Sequence, residues 1–269
     1  MRLEFETFGD SRDPALVLIM GLGAQLIDWQ VEFCEGLVAE GFHVVRFDNR
    51  DVGLSDGSEA PYVLADMAAD TVGLLDRLGI ERAHVVGVSM GGMIAQQLVI
   101  DHPGRVLSLC SIMSTTGDRS VGRGTPEALA ALTRPAATSR EQFIEGAVRA
   151  AGITGSPGFE TPVAELEERA ARKYDRAYRP EGTQRQLQAV LASPDRTEGL
   201  RNVTVPALVI HGEDDPLVGV SGGRATAEAI PGAELMVIPG MGHDLPRALW
   251  PHVIEAITAN ARRETSKVD

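Results

Sequence analysis

Short apolar runs alternate with helical stretches from the start of the chain to Ile112, and this rhythm restricts the fold more than any other feature. Ala15 to Met20, His43 to Phe47, Ala83 to Val88 and Val106 to Ile112 are rich in β-branched residues and almost uninterrupted by polar ones. A strand with one wet face alternates between apolar and polar residues; a continuous run reads as a strand covered on both faces. Leu3 to Phe8 does alternate and reads as a further strand. The intervening pieces have helical spacing: Trp29 to Glu40 stops at Gly41, Met67 to Leu78 stops at Gly79, and Met93 to Ile100 stops short of Pro103. Buried strands separated by helices predict parallel pairing through crossovers. The fold class is therefore α/β: a mostly parallel central sheet flanked by helices.

The rhythm breaks between about Gly117 and Leu200. No buried strand is evident there. Glu127–Leu132, Glu141–Ala151, Glu165–Tyr174 and Gln184–Leu191 read as helices set apart by Pro and Gly. After Pro206 the α/β pattern returns, with strands over Ala207–His211 and Glu234–Ile238 and helices over Gly223–Ile230 and Pro246–Ala261. The expected organisation is a core formed by 1–116 and 201–269, with residues 117–200 inserted as a helical lid over the strand ends, where open α/β sheets bind ligands. An independent helical domain is the alternative, but roughly 85 residues is small for that.

Charge narrows the partners. Lys and Arg number 25 against 38 Asp and Glu, for a net charge of -13. Nucleic-acid binding and polybasic membrane attachment both need the opposite sign. Aromatic residues, at 4%, are too few for base-stacking platforms. Two cysteines, Cys34 and Cys110, cannot form a disulfide framework or a zinc site and are expected as buried thiols. The first residues lack a signal-type apolar core, and Ala15–Met20 is too short to span a bilayer. The expectation is a cytoplasmic protein with no integral membrane association; monomer and homodimer both stay open.

Gly87-Val88-Ser89-Met90-Gly91 is the central motif. Gly-x-Ser-x-Gly alone is weak, but here it lies directly after a buried strand and directly before a helix, as a nucleophile elbow requires. Only small neighbours let the backbone turn so tightly that the Ser89 hydroxyl is lifted out of the sheet. The same turn puts the Met90 N–H at a helix N-terminus, aimed where an oxyanion would form.

A serine hydroxyl needs a base. Of six histidines, His43, His84, His102 and His252 read as packing or surface residues. His211 ends a strand at the active edge and is a real rival. His243, in Pro239-Gly240-Met241-Gly242-His243, lies in a loop after the last strand and can reach Ser89. The base needs a carboxylate, and Gly212-Glu213-Asp214-Asp215-Pro216 offers three. Asp215 is preferred because Pro216 fixes the backbone after it; Asp214 and the more distant Asp118 remain alternatives. The loop Met20-Gly21-Leu22-Gly23-Ala24 fits a second oxyanion donor, the Leu22 N–H. It lacks the third glycine and the Gly-Lys-Ser/Thr of nucleotide loops. No zinc, calcium or other metal motif is present, so neither metal nor cofactor is expected. Asp48-Asn49-Arg50-Asp51-Val52-Gly53-Leu54-Ser55 is expected to be an internally paired loop bracing the active edge.

From Leu3 to about Thr258 the sequence resembles the α/β-hydrolase superfamily, and within it the bacterial esterases related to aclacinomycin methylesterase and the mycobacterial lipase G group. The residues behind this are Ile19-Met20-Gly21-Leu22-Gly23 with Trp29, Val44 through Asp51, Ala83 through Gly91, Val203-Thr204-Val205-Pro206 and Ile238 through His243. The resemblance implies Ser89 as nucleophile, Asp215 as acid, His243 as base, and Leu22 and Met90 as oxyanion donors. Met20-Gly21 stands where His-Gly is usual, which leaves only backbone donors. Arg50-Asp51-Val52-Gly53 replaces the commoner Arg-Gly-x-Gly and is expected to change only local bracing. The expected activity is hydrolysis of a small-molecule carboxylic ester, short to medium in chain or a small methyl or aryl ester. Lactone or C–C cleavage, perhydrolysis, and a non-catalytic ligand-binding protein are the alternatives.

Overall fold

Apolar residues on alternate sides of the strands sort themselves into two cores, one on each face of a single sheet. Val17, Ile19, Val45, Val85 and Leu109 pack with Leu75, Ile94 and Leu98 on one face. Leu16, Leu18, Val44, Val86 and Ile112 pack with Phe33, Leu37, Val253 and Ile257 on the other. Each such side chain contributes about 1.5–3 kcal/mol by burial, so the sheet is held from both sides. The computed structural model describes residues 1–265. Its strands are β1 (Phe5–Phe8), β2 (Ala15–Ile19), β3 (His43–Phe47), β4 (Ala83–Val88), β5 (Val106–Ile112), β6 (Ala207–Gly212) and β7 (Glu234–Ile238). The order across the sheet is β1-β3-β2-β4-β5-β6-β7, and only β1 runs antiparallel to its neighbour. The continuous runs at β2, β3, β4 and β6 are buried at every residue, whereas the edge strands β1 and β7 are not.

Helices α1 (Val31–Ala39), α2 (Leu64–Arg77) and α3 (Met90–Asp101) connect the early strands, and α9 (Ser221–Ala229) and α10 (Trp250–Thr265) follow β6 and β7. Several helices begin earlier than apolar spacing indicates. α2 starts at Leu64, three residues before Met67, because the Asp66 carboxylate accepts the Val63 N–H at 2.8 Å and caps the first turn. α3 starts at Met90, on the glycines of the elbow, which carry no apolar signal. Cys34 and Cys110 are free and buried, and burial pushes the Cys34 thiol up to about 12. Among the described residues, no helix is long and apolar enough to cross a membrane.

Between β5 and β6 the chain runs through α4 (Pro126–Leu132), α5 (Arg140–Thr154), α6 (Val163–Arg176), α7 (Pro180–Ala192) and α8 (Thr197–Leu200), with no strand. Sequence spacing shows the first four and misses α8, a single turn. Charge fastens this segment to the loops above the sheet. Arg185 grips Asp51 through two bonds of 2.6 and 3.0 Å, Arg176 meets Asp48 at 2.7 Å, and Lys173 meets Asp28 at 3.0 Å. Gln186 accepts the Gly23 N–H at 2.8 Å and donates to the Arg50 carbonyl at 2.7 Å.

The loop from Asp48 to Ser55 therefore departs from the expectation of internal pairing alone. Asp48 does accept the N–H groups of Leu26 and Leu54, but its charge, like that of Asp51, is met from α6 and α7. The effect of Asp51 is also not local. Its φ is 74°, a conformation a glycine adopts freely, and the fully buried carboxylate gains Arg185 in return. Burial alone would raise its pKa; the hydrogen bonds from Arg185 and the Ser58 N–H outweigh this and lower it. Arg185→Ala strands that carboxylate and is expected to cost about 3 kcal/mol in urea unfolding, far more than loss of an exposed pair. Asp51→Gly combined with Arg185→Ala should restore much of it.

Candidate active site

The β4–α3 turn is shaped by contacts that exclude side chains. Ser89 has φ 56° and ψ -120°. A Cβ on Gly87 would lie 2.1 Å from the Gly91 carbonyl oxygen, and one on Gly91 would lie 2.1 Å from the Ile19 carbonyl oxygen. Backbone cannot retreat from such overlaps, so only glycine serves at either position. The Ser89 N–H donates to the Ile112 carbonyl at 2.9 Å, which keeps the turn paired to β5, and the Ser114 hydroxyl donates to the Ser89 carbonyl at 2.9 Å. The side chain is left projecting above the sheet.

His243 follows β7 and stands beside it. Its Nε2 is 3.0 Å from Ser89 Oγ, and its Nδ1 is 2.7 Å from Asp215 Oδ2. The carboxylate accepts a hydrogen bond from Nδ1–H, which leaves Nε2 unprotonated and able to accept one from the serine hydroxyl. Asp215 Oδ1 accepts the N–H groups of Leu217 and Val218, each at 2.9 Å. Burial works to raise the Asp215 pKa, but hydrogen bonds from His211 and His243, the His243 charge and the Val218 N–H overcome it and hold it at about 2. The group is thus a carboxylate at neutral pH.

The other candidates are elsewhere. His211 is fully buried at the end of β6; its Nε2 donates to the Val218 carbonyl at 2.7 Å and lies 3.5 Å from Asp215 Oδ2. It packs beside Asp215, and the contact with Ser89 Oγ is made by His243. Asp214 is exposed and accepts the Gly240 N–H at 2.8 Å; Asp118 accepts the Ser120 N–H at 2.8 Å. His84 is packed against Ser108 and Phe42, and burial, with the charge of Arg82, lowers its pKa to about 4.

Met90 opens α3, where its N–H has no acceptor within the helix. Leu22 follows Gly21 in a turn closed by the Ala24 N–H to Gly21 carbonyl bond of 3.2 Å. A Cβ on Gly21 would meet Ser89 Cβ at 3.2 Å, so this loop passes directly over the serine. Leu22, Met90, Ser89 and His243 line one cavity of about 490 Å³. Its walls are largely apolar, with Met93, Leu129, Leu132, Leu187 and Leu191 among them, and it also includes Trp29, Phe33 and Trp250. Asp28, Arg169, Lys173 and Asp244 add charge of both signs. Sequence reasoning missed these four; the i, i+4 spacing of Arg169 and Lys173 on α6 and the position of Asp244 next to His243 were the available signals.

This fold with this cluster defines a class. Residues 14–246 match the family described as alpha/beta hydrolase fold, and the chain belongs to it. Among relatives, rhodomycin D methylesterase from Streptomyces peucetius is 32% identical, covering 97% of this chain and 95% of its own. A 3-oxoadipate enol-lactonase from Acinetobacter baylyi is 29% identical over 95% of this chain and 92% of its own. Among solved structures, a thermophilic esterase from Thermogutta terrifontis superposes with a TM-score of 0.75 at 26% identity, covering 97% of this chain and 93% of that one.

The Asp215 pKa gives the site a pH signature. A carboxyl near 3.8 in the unfolded chain and about 2 in the fold adds stability that is complete above about pH 4. It is lost as the pH falls through about 2, and it amounts to about 2 kcal/mol. Urea midpoints measured at pH 5 and pH 2.5 should therefore fall further for the wild type than for Asp215→Asn.

Proposed function

We propose that this protein hydrolyses carboxylic esters through an acyl-enzyme on Ser89. The observation that carries the reading is the Ser89–His243–Asp215 chain of contacts, 3.0 and 2.7 Å, opening into a largely apolar cavity. His243 Nε2 takes the hydroxyl proton as Ser89 Oγ attacks the ester carbonyl carbon. The carbonyl oxygen becomes an oxyanion and rests on the N–H groups of Met90 and Leu22. Asp215 holds the imidazole in the required tautomer and stabilises the imidazolium. His243 returns the proton to the departing alcohol. Water then attacks the acyl group with His243 as base, and the acid and free Ser89 are released. The reaction draws on these residues and water alone.

Residues 117–200 act as the lid that selects the ester. Their helices supply Leu129, Leu132, Leu187 and Leu191 to the cavity, which suits an apolar acyl or alcohol group of short to medium length. The methylesterase relative supports a small methyl ester as one substrate class. The enol-lactonase relative supports testing cyclic esters beside open ones, since the same acyl transfer opens a lactone. The buried thiols suit a reducing compartment, and the cytoplasm is the proposed location.

Ser89→Ala is expected to lower turnover of p-nitrophenyl acetate and butyrate by more than about 1,000-fold and to abolish labelling by a fluorophosphonate probe. Turnover surviving in that variant would overturn the assignment.

A further inference from the structure

His243 must be placed to within a fraction of an ångström, yet it sits in an irregular loop. Two sets of contacts hold that loop. From the sheet side, Asp214 accepts the Gly240 N–H at 2.8 Å, and its own N–H donates to the Met241 carbonyl at 3.1 Å. From the other side comes the end of α5 and the turn after it. The His243 N–H donates to the Thr154 carbonyl at 2.7 Å, and the Gly158 N–H donates to the Gly240 carbonyl at 2.9 Å. A Cβ on Gly242 would lie 2.3 Å from the Gly155 carbonyl oxygen, so the two chains run in direct backbone contact.

Ser156 is at the centre of this contact and is 7% exposed. Its Oγ accepts the Gly242 N–H at 2.9 Å, and its hydroxyl proton goes to Asp244 Oδ1. One hydroxyl therefore ties together the residues immediately before and after His243. A serine serving only to end α5 would bond to its own helix, as Thr154 does through the Ala150 carbonyl at 3.0 Å. Ser156 instead spends both hydrogen bonds on the loop of the base. Burial raises the Asp244 pKa, and the Ser156 hydrogen bonds and the charges of Arg169 and His243 offset this only in part.

We infer that Ser156 and Asp244 form a relay that sets the position of His243 against Ser89, making Ser156 a positioning residue supplied by the inserted helices. This rests on the ester-hydrolase reading. Removing the hydroxyl frees the Gly242 N–H and the Asp244 carboxyl together, and the His243 ring loses its register with Ser89 Oγ while the apolar walls of the cavity stay in place.

Ser156→Ala is therefore expected to lower kcat for p-nitrophenyl butyrate by about 10- to 100-fold with KM changed by no more than about twofold. The rate of fluorophosphonate labelling should fall by a similar factor. Asp244→Ala cuts the relay at its other end and should lower kcat comparably, and the double variant should be little worse than either. Ser156→Thr keeps the hydroxyl and should recover most of the lost kcat. A purely structural serine would lower the melting temperature and leave kcat and labelling unchanged below it. If folded Ser156→Ala or Asp244→Ala keeps kcat within about twofold of wild type while Ser89→Ala is inert, the relay is wrong and the hydrolase reading stands. An active Ser89→Ala would overturn both.

Discussion

The passage of backbone through Gly87, Ser89 and Gly91 is the constraint on which the remainder of the molecule depends. Two carbonyl oxygens stand where a Cβ would be, and Ser89 is held at a positive φ that costs about 1–3 kcal/mol. Such a turn persists only where its surroundings over-determine it. β4 is central in the sheet, paired to β2 and β5, and the Ser89 N–H bond to Ile112 extends that pairing to the turn itself. The two cores then hold β4 from above and below. Within the turn, strain is thus confined to Ser89, and that residue lines the cavity.

Around this point the loops at the strand ends are short of regular structure and are ordered by what packs on them. The β2, β3 and β7 loops carry Leu22, Asp48 with Asp51, and His243. Each is met by the segment between β5 and β6: Gln186 at Gly23, Arg176 and Arg185 at the carboxylates, and residues 154–158 at the histidine loop. The buried carboxylates would be costly if unpaired, so the segment has a defined seat. It lines the cavity and also orders the loops that carry Leu22 and His243.

Much of this was legible in the residues, and what was not shares a physical cause. Continuous apolar runs marked β2, β3, β4, β5 and β6, because burial on both faces leaves no room for alternation. The meeting of Ser89, His243 and Asp215 was legible because elbow, loop and carboxylate turn follow strands that must end at one edge. The starts of α2 and α3 were not, since they depend on a cap and on glycines and not on apolar spacing. Nor was the destination of Asp51. Arg185 lies 134 residues away, and no local pattern couples the two. Ser156 was equally silent: it looks like a helix end, and only the approach of the Gly242 backbone gives its hydroxyl a partner.

The bond from the His243 N–H to the Thr154 carbonyl joins two properties that enzymes of this architecture could keep apart. A segment that only covered the cavity could drift in sequence, or be replaced by another, with no effect on the speed of the chemistry. Here the chain that shapes the cavity also grips the His243 loop, so changes that widen or reshape the cavity bear, on the proposed reaction, on proton transfer as well. A segment exchanged for another would therefore have to bring a β7 loop that matches it.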